Sequence, residues 1–349
     1  MQEHREDHEH LGNLQEIIAA LQEPSLYPHP TKDIKIITTA VSHVFLTGNF
    51  AYKINKALNL GFLDFSTLEK RKEQCEKELK HNSLLSPELY EDVIPILKDD
   101  HGKIILTGQG EVIEYALKMK QMNPDSTMNN LLKDKMITEK QITLLAEQIF
   151  QFHQIAPQDK EIRQFGSVTT IQFNWDENFS QTEKYKPKII ASEDFNFIQE
   201  KINDFIIKNN VLFNTRVANK KIKHCHGDFH SANVFIDNNK IFIFDGIVFN
   251  KRFPCSDIIA EIAFMAMDLE FHHREDLAAH FIQRYQQLSN DTDIPALLDF
   301  YKCYRAYIRA KIHCFTTEDK NLNAQEKQKT TAAAQSYFQL AKKYAANLD

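Results

Sequence analysis

The chain has 349 residues, of which 42% are hydrophobic and 26% are charged, an ordinary balance for a globular protein. This length predicts two domains or lobes, with enough chain for a substantial core. The 42 basic and 48 acidic side chains give a net charge of −6, which argues against nucleic acid or an anionic membrane surface as the partner.

The five cysteines are widely spread and form no C-x-x-C pair, so the sequence predicts neither a disulfide framework nor a zinc ribbon. No apolar run approaches the ~20 residues that a membrane helix requires. The polar N-terminus lacks the apolar segment of a secretory signal. We therefore expect a soluble cytoplasmic protein, and the sequence leaves its oligomeric state open.

The N-terminal part of the chain is rich in short apolar and β-branched runs. A polar tail and an amphipathic helix at 11–22 occupy residues 1–28, and Pro24 ends that helix. Gly48-Asn49 predicts a hairpin turn, and Ser66 with Glu69 matches a capping box that opens a helix at 67–85. In residues 29–122 we expect a five-stranded antiparallel N-lobe sheet, drawn from segments near 34–39, 42–47, 50–56, 91–97, 103–107 and 111–119.

Helical patterns dominate the C-terminal part, 123–349, after a candidate hinge, QMNPDS. Thr138 and Gln141 match a capping box that opens the first of these helices, whereas 157–190 is predicted to be rich in loops. One β segment at 233–245 interrupts the helices, with Asp237-Asn238-Asn239 as its turn. The predicted helices are 138–153, 193–209, 256–270, 274–289, 294–316 and 325–346.

The pattern that carries chemistry is His226-Gly227-Asp228-x4-Asn233, followed twelve residues later by Asp245-Gly246. Asp228 can orient and deprotonate a hydroxyl, and Asn233 and Asp245 can hold magnesium on nucleotide phosphates. A hairpin brings those two ligands to the same end, because each strand residue advances only ~3.3 Å. Taken alone, the pattern is also compatible with ordinary surface turns.

A lysine on the third predicted strand, Lys53, matches the lysine that grips nucleotide phosphates in V-A-I-K. Such a lysine needs a carboxylate to hold it, and the helix at 67–85 offers Glu73, Glu76 and Glu78. Each of these residues is singly compatible with a solvated surface role. Their order along the chain, with a strand lysine, a helix glutamate, a hinge, a catalytic loop and a metal aspartate, favours a kinase.

Five stretches resemble the aminoglycoside/choline phosphotransferase-like branch of the protein-kinase-like fold: SHVFLTGNFAYKI, LGFLDFSTLEKRKEQCEKELKHNSLL, HGDFHSANV, IFIFDGIVFN and SDIIAEIAFMAMDLE. Together with YRAYIRAK the resemblance covers most of the chain from residue 25 onward, and the chain is especially similar to a bacterial group of aminoglycoside phosphotransferase family proteins. It implies a two-lobed α+β fold with a mainly helical C-lobe. It also implies transfer of the γ-phosphoryl group of ATP, with Mg²⁺, to a hydroxyl of a small molecule, with GTP as a second candidate donor.

Each site role is implied by this resemblance, position by position. Asp228 is the expected catalytic base, Asn233 and Asp245 are the expected metal ligands, and Glu78 is the expected partner of the phosphate-binding Lys53. Asp257 is the expected structural aspartate that supports the catalytic loop. Adenine is expected at the backbone of residues 119–122, with Lys120 and Met122 as contacts.

The sequence departs from the family pattern in two places. The loop between the first two strands, at 38–42, has no glycine, so we expect the hydroxyls and backbone of Thr39 and Ser42 to cover the phosphates. No G-x4-G-K-[ST] occurs, so we expect the P-loop ATPase domain that members of the bacterial group often carry to be missing.

Several alternatives remain open. A non-catalytic nucleotide-binding pseudokinase fits the glycine-free loop, and a kinase acting on a macromolecule fits the same motif. A zinc site at His224-Cys225-His226 is disfavoured, because neighbouring side chains in an extended segment alternate in direction. Arg305, Arg309 and Lys311 either pair with carboxylates or bind an anionic part of the substrate. The acceptor cannot be read from the sequence, although aromatic side chains at 171–186 are candidates to line its pocket.

Overall fold

A computed structural model describes residues 14–61 and 63–348, which form two compact units. The first unit comprises the described residues up to Pro124 together with Phe242–Asn250, and the second comprises Asp125–Ile241 and the chain from Lys251 onward. The tail predicted before residue 14 lies outside the described residues. None of the described helices is both long and apolar enough to cross a lipid bilayer.

The first unit is built on an antiparallel sheet. Its strands are β1 (Lys35–Thr38), β2 (Ser42–Leu46), β3 (Phe50–Asn55), β4 (Tyr90–Lys98), β5 (Ile104–Ile105) and β6 (Glu111–Lys120), ordered β1-β2-β3-β6-β4-β5. The sheet has six strands rather than five, since each of the six segments named from the sequence forms a strand, and the one near 103–107 is the short edge strand at 104–105 against β4. The hairpin at Gly48-Asn49 is confirmed, with φ of +98° at Gly48.

Helices cover the two faces of this sheet. Tyr52 and Ile54 of β3 point into an apolar core with α1, which spans residues 14–20. Side chains alternate along a strand, so Lys53 points to the other face. That face carries α2 (Leu68–Asn82), which is fixed to β6 by a buried ion pair of 2.8 Å between Arg71 and Glu114.

The cap of α2 lies one residue later than predicted. The side chain of Thr67 accepts a hydrogen bond from the backbone of Lys70 at 3.3 Å, so Thr67 is the N-cap. The hydroxyl of Ser66 instead donates to Asp64 at 2.6 Å. The predicted capping box of Ser66 with Glu69 is therefore wrong, because Asp64 captures the serine.

The second unit is mainly helical. One of its helices, α9 (Ile258–Phe271), is buried from Ile258 to Leu269 and packs against α10 (Glu275–Ser289) and α11 (Ile294–Thr316). The described helices of this unit are α3 (Met128–Lys133), α4 (Glu139–Ile155), α5 (Lys160–Gln164), α6 (Val168–Thr182), α7 (Ser192–Lys208), α8 (Asn210–Ala218), α9 (Ile258–Phe271), α10 (Glu275–Ser289), α11 (Ile294–Thr316) and α12 (Ala324–Ala345).

The segment predicted as loop-rich, 157–190, contains α6, so that prediction is wrong. The side chain of Ser167 caps the helix by accepting from Thr170 at 3.3 Å. Ile171, Trp175 and Phe179, spaced four residues apart, form its buried face. In contrast, the capping box of Thr138 and Gln141 at the start of α4 is confirmed.

Short strands frame the loop that carries the chemical motif. Strand β7 (Ile222–His224) precedes it and pairs with β10 (Cys255–Asp257), while β8 (Val234–Asp237) follows it and pairs with β9 (Lys240–Ile243). Asn238 and Asn239 have positive φ angles of +49° and +73°, which confirms the predicted turn. The motif loop is therefore held at both ends by strand pairing.

Candidate active site

Lys53 is paired with a buried glutamate in the first unit. Its Nζ lies 2.7 Å from Oε1 of Glu78 and 3.0 Å from Oδ1 of Asp245. Glu78 is buried, whereas Glu73 and Glu76 pair with lysines one turn away on the exposed face of α2. Burial alone would lower the pKa of Lys53, but Asp245 and Glu78 raise it well above its ordinary value. The lysine therefore remains a cation.

The segment around Asp245 is fastened by polar side chains that the sequence did not single out. The backbone N–H of Asp245 donates to the Tyr90 hydroxyl at 3.0 Å, and that of Gly246 donates to Oδ1 of Asn82 at 2.9 Å. Ser86 bonds both the N–H and the C=O of Ile243 at 2.9 Å. Asp245 has φ of +62°, a conformation that needs such support. Its carboxylate remains 55% exposed.

Thr39 and Ser42, which are predicted to cover the phosphates, are hydrogen-bonded to each other. The hydroxyls of Thr39 and Ser42 lie 2.9 Å apart, and Ser42 is buried. The Nζ of Lys56 donates to the carbonyl of Thr39. These contacts give the glycine-free turn a fixed shape and place a lysine beside it.

The residues predicted to meet adenine lie at the end of β6. Lys120 is the last residue of that strand, and its backbone N–H donates to the carbonyl of Leu89 at 2.8 Å. Met122 follows two residues later and is half-buried. Both belong to the same unit as Lys53, and β6 pairs with the strand that carries this lysine.

In the second unit, Asp228 and Asn233 are in direct contact. The side-chain nitrogen of Asn233 donates to the carbonyl and to Oδ2 of Asp228, both at 2.9 Å. The amide nitrogen is used in this way, so Oδ1 of Asn233 is the atom left for a metal. His230 lies beside the same carboxylate, with its Nε2 at 3.5 Å from Oδ2.

Asp228 is held as a carboxylate by its surroundings. Burial would raise its pKa, but the hydrogen bond and charge of His230, with His226 and Arg309, lower the pKa well below its ordinary value. The backbone N–H of Asp228 also donates to Nδ1 of His226 at 3.2 Å. A carboxylate that is ionised and partly exposed can accept a proton from a hydroxyl.

The support of this loop differs from what the resemblance implies. Asp257 binds Arg216 at 2.7 Å and caps α9 through Ile259. Glu261, one turn further along α9, instead accepts the backbone N–H groups of the motif loop, and Asp268 accepts that of Ser231 at 2.8 Å. The signal for this role was present in the sequence, because Glu261 and Asp268 are the acidic residues on the buried part of an apolar helix.

The cations of α11 have separate surroundings. Arg305 donates to backbone carbonyls, and Nζ of Lys311 donates to the side chains of Asn178 at 2.6 Å and Gln181 at 2.9 Å. Arg309 lies over the ring of Tyr337. Within the described residues none of the three cations forms an ion pair, so of the two alternatives the pairing with carboxylates is not the one that the structure shows.

The described residues contain one group of side chains with metal-ligand spacing, His153, Cys225 and Glu261, whose ligand atoms lie within 4.8 Å of one another. His224 and His226 are not part of it, as expected from the alternation of side chains. The thiol of Cys225 therefore lies near side chains of α4 and α9, and not in a group with the histidines next to it in the chain.

Solved structures share this architecture. A choline kinase from Cryptosporidium parvum Iowa II superposes with a TM-score of 0.56 at 12% identity, over 97% of this chain and 96% of that one. A choline/ethanolamine kinase family protein from Mesorhizobium loti gives 0.54 at 8% identity, over 95% and 99%. A predicted aminoglycoside phosphotransferase from Ralstonia eutropha JMP134 gives 0.55 at 9% identity, over 97% and 99%.

The chain has the kinase-like fold of the choline kinases and aminoglycoside phosphotransferases. This confirms the resemblance in the fold that it implied. No family model matches the sequence. Among curated proteins, an uncharacterized protein of Mycobacterium tuberculosis is 29% identical over 289 residues, which is 82% of this chain and 56% of that protein. The chain thus spans about half the length of the curated relatives that it matches.

The two predicted metal ligands carry oxygen atoms that suit a hard cation. Asp245 offers an exposed carboxylate, and Asn233 offers an amide oxygen. Magnesium prefers such oxygen ligands and keeps several waters, so it does not require a closed protein cage. Each of these two side chains, the first in one unit and the second in the other, therefore has the chemistry of a magnesium ligand.

Proposed function

We propose that this protein is a phosphotransferase that moves the γ-phosphoryl group of ATP to a hydroxyl of a small molecule. The observation that carries the proposal is the contact of Lys53 with Glu78 and Asp245 at 2.7 and 3.0 Å. A lysine held by a buried glutamate beside an exposed carboxylate is the arrangement that protein kinases use to bind nucleotide phosphates. The shared fold supports the same reading.

Each predicted residue has a role in this proposal. Asp228 takes the proton from the acceptor hydroxyl while that oxygen bonds to the γ-phosphorus and the bond to the β–γ bridging oxygen breaks, which releases ADP. Asn233 and Asp245 hold Mg²⁺, which neutralises phosphate charge. Lys53, oriented by Glu78, binds phosphate oxygens, the turn of Thr39 and Ser42 covers them, and Lys120 with Met122 contacts the base.

A second candidate, a non-catalytic nucleotide-binding protein, is favoured by the turn at Thr39 and Ser42. This turn has no glycine, and its two hydroxyls bond each other. A nucleotide would have to be held without the backbone approach that a glycine-rich loop permits. The experiment must therefore separate binding from turnover.

Nucleotide binding is measured first by thermal shift of the full chain, with ATP or GTP in the presence of magnesium or EDTA. We expect a magnesium-dependent stabilisation that Lys53→Met abolishes and Asp228→Asn retains. The absence of stabilisation by either nucleotide would contradict both candidates.

Turnover is then measured as ADP release across a panel of small hydroxyl compounds. We expect at least one acceptor to raise ADP release in the wild type, and Asp228→Asn to lower the rate by about 10²–10⁴-fold. Magnesium-dependent binding with no acceptor-dependent turnover in the wild type would favour the second candidate. Phosphorylation of added protein but of no small molecule would identify a macromolecular acceptor.

A further inference from the structure

We infer that Glu261 and Arg305 are positioning residues that hold the two peptide bonds of Gly227 and thereby fix the carboxylate of Asp228. The inference rests on the proposed function and adds a part of the machinery that no motif carries. Gly227 directly precedes Asp228, and its φ is +86°, in the region that favours glycine.

The two side chains hold Gly227 from opposite ends. Oε1 of Glu261 accepts the N–H of Gly227 at 2.8 Å, and Oε2 accepts the N–H of His226 at 3.0 Å. Nη1 of Arg305 donates to the carbonyl of Gly227 at 3.0 Å. That carbonyl belongs to the peptide bond whose nitrogen is the backbone nitrogen of Asp228, so rotation of this peptide would redirect the Asp228 side chain.

Both charged side chains are buried, so bulk solvent does not readily replace a lost hydrogen bond. Glu261 is 0% exposed, and it also receives Nε2 of His153 at 3.1 Å, whose Nδ1 lies 2.6 Å from the Tyr285 hydroxyl. Burial would raise the pKa of Glu261, but the hydrogen bond and charge of His153 lower it to about 2. Glu261 is therefore a fully bonded carboxylate that prefers one arrangement of its donors.

Arg305 is also held in one place by its surroundings. Its Nε donates to the carbonyl of Ala260 at 3.2 Å, and its guanidinium lies 4.8 Å from the centre of the Phe264 ring. Both of these residues belong to α9, which also carries Glu261. Both peptide bonds of Gly227 are thus held in place relative to α9. This matters for catalysis, because a displacement of about 1 Å at a catalytic group can lower the rate by about 10²-fold.

A metal at His153, Cys225 and Glu261 is the competing interpretation of this buried cluster. Each of these side chains already has a hydrogen-bond partner. Cys225 donates to the carbonyl of Ser256 at 3.7 Å, and Glu261 accepts from His153 and from the backbone N–H of Gly227. The purified full chain is therefore expected to contain no stoichiometric zinc. Zinc at one atom per chain that Cys225→Ser removes would overturn the inference.

The test compares Glu261→Gln with Asp291→Asn, a matched removal of a buried carboxylate charge that lies away from Gly227 and binds Arg216. We expect both variants to lose thermal stability. Of the two variants, we expect only Glu261→Gln to lower kcat, by about 10²-fold, with the KM for ATP little changed. Arg305→Lys, a milder change at the other end of Gly227, should lower kcat in the same direction.

Hydrogen exchange of the backbone gives a readout that does not need turnover. The amides of His226 and Gly227 should exchange about tenfold or more faster in Glu261→Gln than in the wild type, and should be little changed in Asp291→Asn. Equal exchange in the two variants, or unchanged kcat in an active Glu261→Gln, would overturn the inference. A wild type without turnover would contradict the proposed function alone, and the exchange comparison would still decide whether Glu261 holds this loop.

Discussion

Nε2 of His230 lies 3.5 Å from Oδ2 of Asp228, and Nδ1 of the same ring accepts the backbone N–H of Ala232 at 3.4 Å. Because Nδ1 accepts this hydrogen bond, Nε2 is the nitrogen whose N–H faces the carboxylate. Asn233 donates to the same oxygen. In the proposed reaction, Oδ1 of Asp228 is therefore the oxygen left for the acceptor hydroxyl, and His230 helps to set this choice.

Replacing His230 with Phe should raise the pKa of the Asp228 carboxyl group. His230 is one of the groups that lower the pKa of Asp228, against the effect of burial, so its removal raises that pKa and protonates the base at a higher pH. Asp228 is 39% exposed and solvent screens the effect, so we expect a shift of at most about one pH unit. The ring of Phe can keep the stacking on Phe264.

The matched control is His230→Gln, which retains a side-chain N–H donor but has no imidazole ring. The pKa of Asp228 in this variant should lie between those in the wild type and His230→Phe. Titration of the side-chain carboxyl carbon of Asp228 by NMR, from pH 7 down to the acid limit at which each protein stays folded, provides the measurement. Identical titration of this carbon in all three proteins would show that His230 does not influence the carboxylate.

The buried pair of Lys53 and Glu78 predicts a non-additive effect on stability. Lys53→Met leaves Glu78 without its cation in a buried position, and removal of one partner of such a pair typically costs about 3–5 kcal/mol. The double variant Lys53→Met/Glu78→Met removes both charges and should recover most of this loss. Urea unfolding of the two single variants and the double variant measures the coupling, and additive losses would contradict it.

Hydrophobic periodicity located α2 but captured only part of its buried face. The apolar residues Leu68, Cys75, Leu79 and Leu84 predict a buried stripe; Cys75 is buried, whereas Leu84 follows the end of the helix and is 41% exposed. Besides Cys75 and His81, the helix buries the polar side chains of Arg71, Gln74, Glu78 and Asn82. Arg71 and Glu78 form ion pairs with residues of the sheet, and Asn82 accepts the backbone N–H of Gly246. Only the folded chain brings these partners together. Sequence reasoning therefore left Glu73, Glu76 and Glu78 as equal candidates until the resemblance selected one.

The sequence predicted residues that are close in the chain better than residues that meet through the fold. The hairpin turns at Gly48-Asn49 and at 237–239 depend on local spacing. In contrast, the support of the motif loop comes from Glu261, more than 30 residues away, and the family pattern pointed to Asp257 instead. A buried charge gains its partner from tertiary packing, which periodicity does not encode.

The positive φ of Gly227 predicts a cost for any side chain at that position. A Cβ there would lie 2.9 Å from Cα of Pro254, whereas Gly48, with φ of +98°, has nothing within 4 Å of a Cβ. Gly48→Ala should lower the free energy of unfolding only by the cost of a left-handed backbone conformation, roughly 1–2 kcal/mol. Gly227→Ala should cost more, because the loop must also move away from Pro254, and it should reduce turnover. Equal urea midpoints for the two variants would contradict this difference.

Acid stability should depend on the buried contact of Arg216 with Asp291, at 2.7 Å. Burial would raise the pKa of Asp291, but the bonds and charges of Arg216 and Lys221 lower it below its ordinary value. A lowered pKa in the folded state contributes stability above the unfolded pKa of about 3.9, and this contribution is lost as the pH falls through the folded pKa. Asp291→Asn should therefore be less stable than the wild type at pH 7.

We expect a deficit of about 1–3 kcal/mol for Asp291→Asn at pH 7, since Asp257 still holds Arg216. The stabilities of the two proteins should converge as the pH falls below about 4. Urea unfolding at a series of pH values measures this, with the exposed Asp204→Asn on α7 as the control that should follow the wild type throughout. A deficit that stays constant down to pH 3 would show that the ionised carboxylate is not its source.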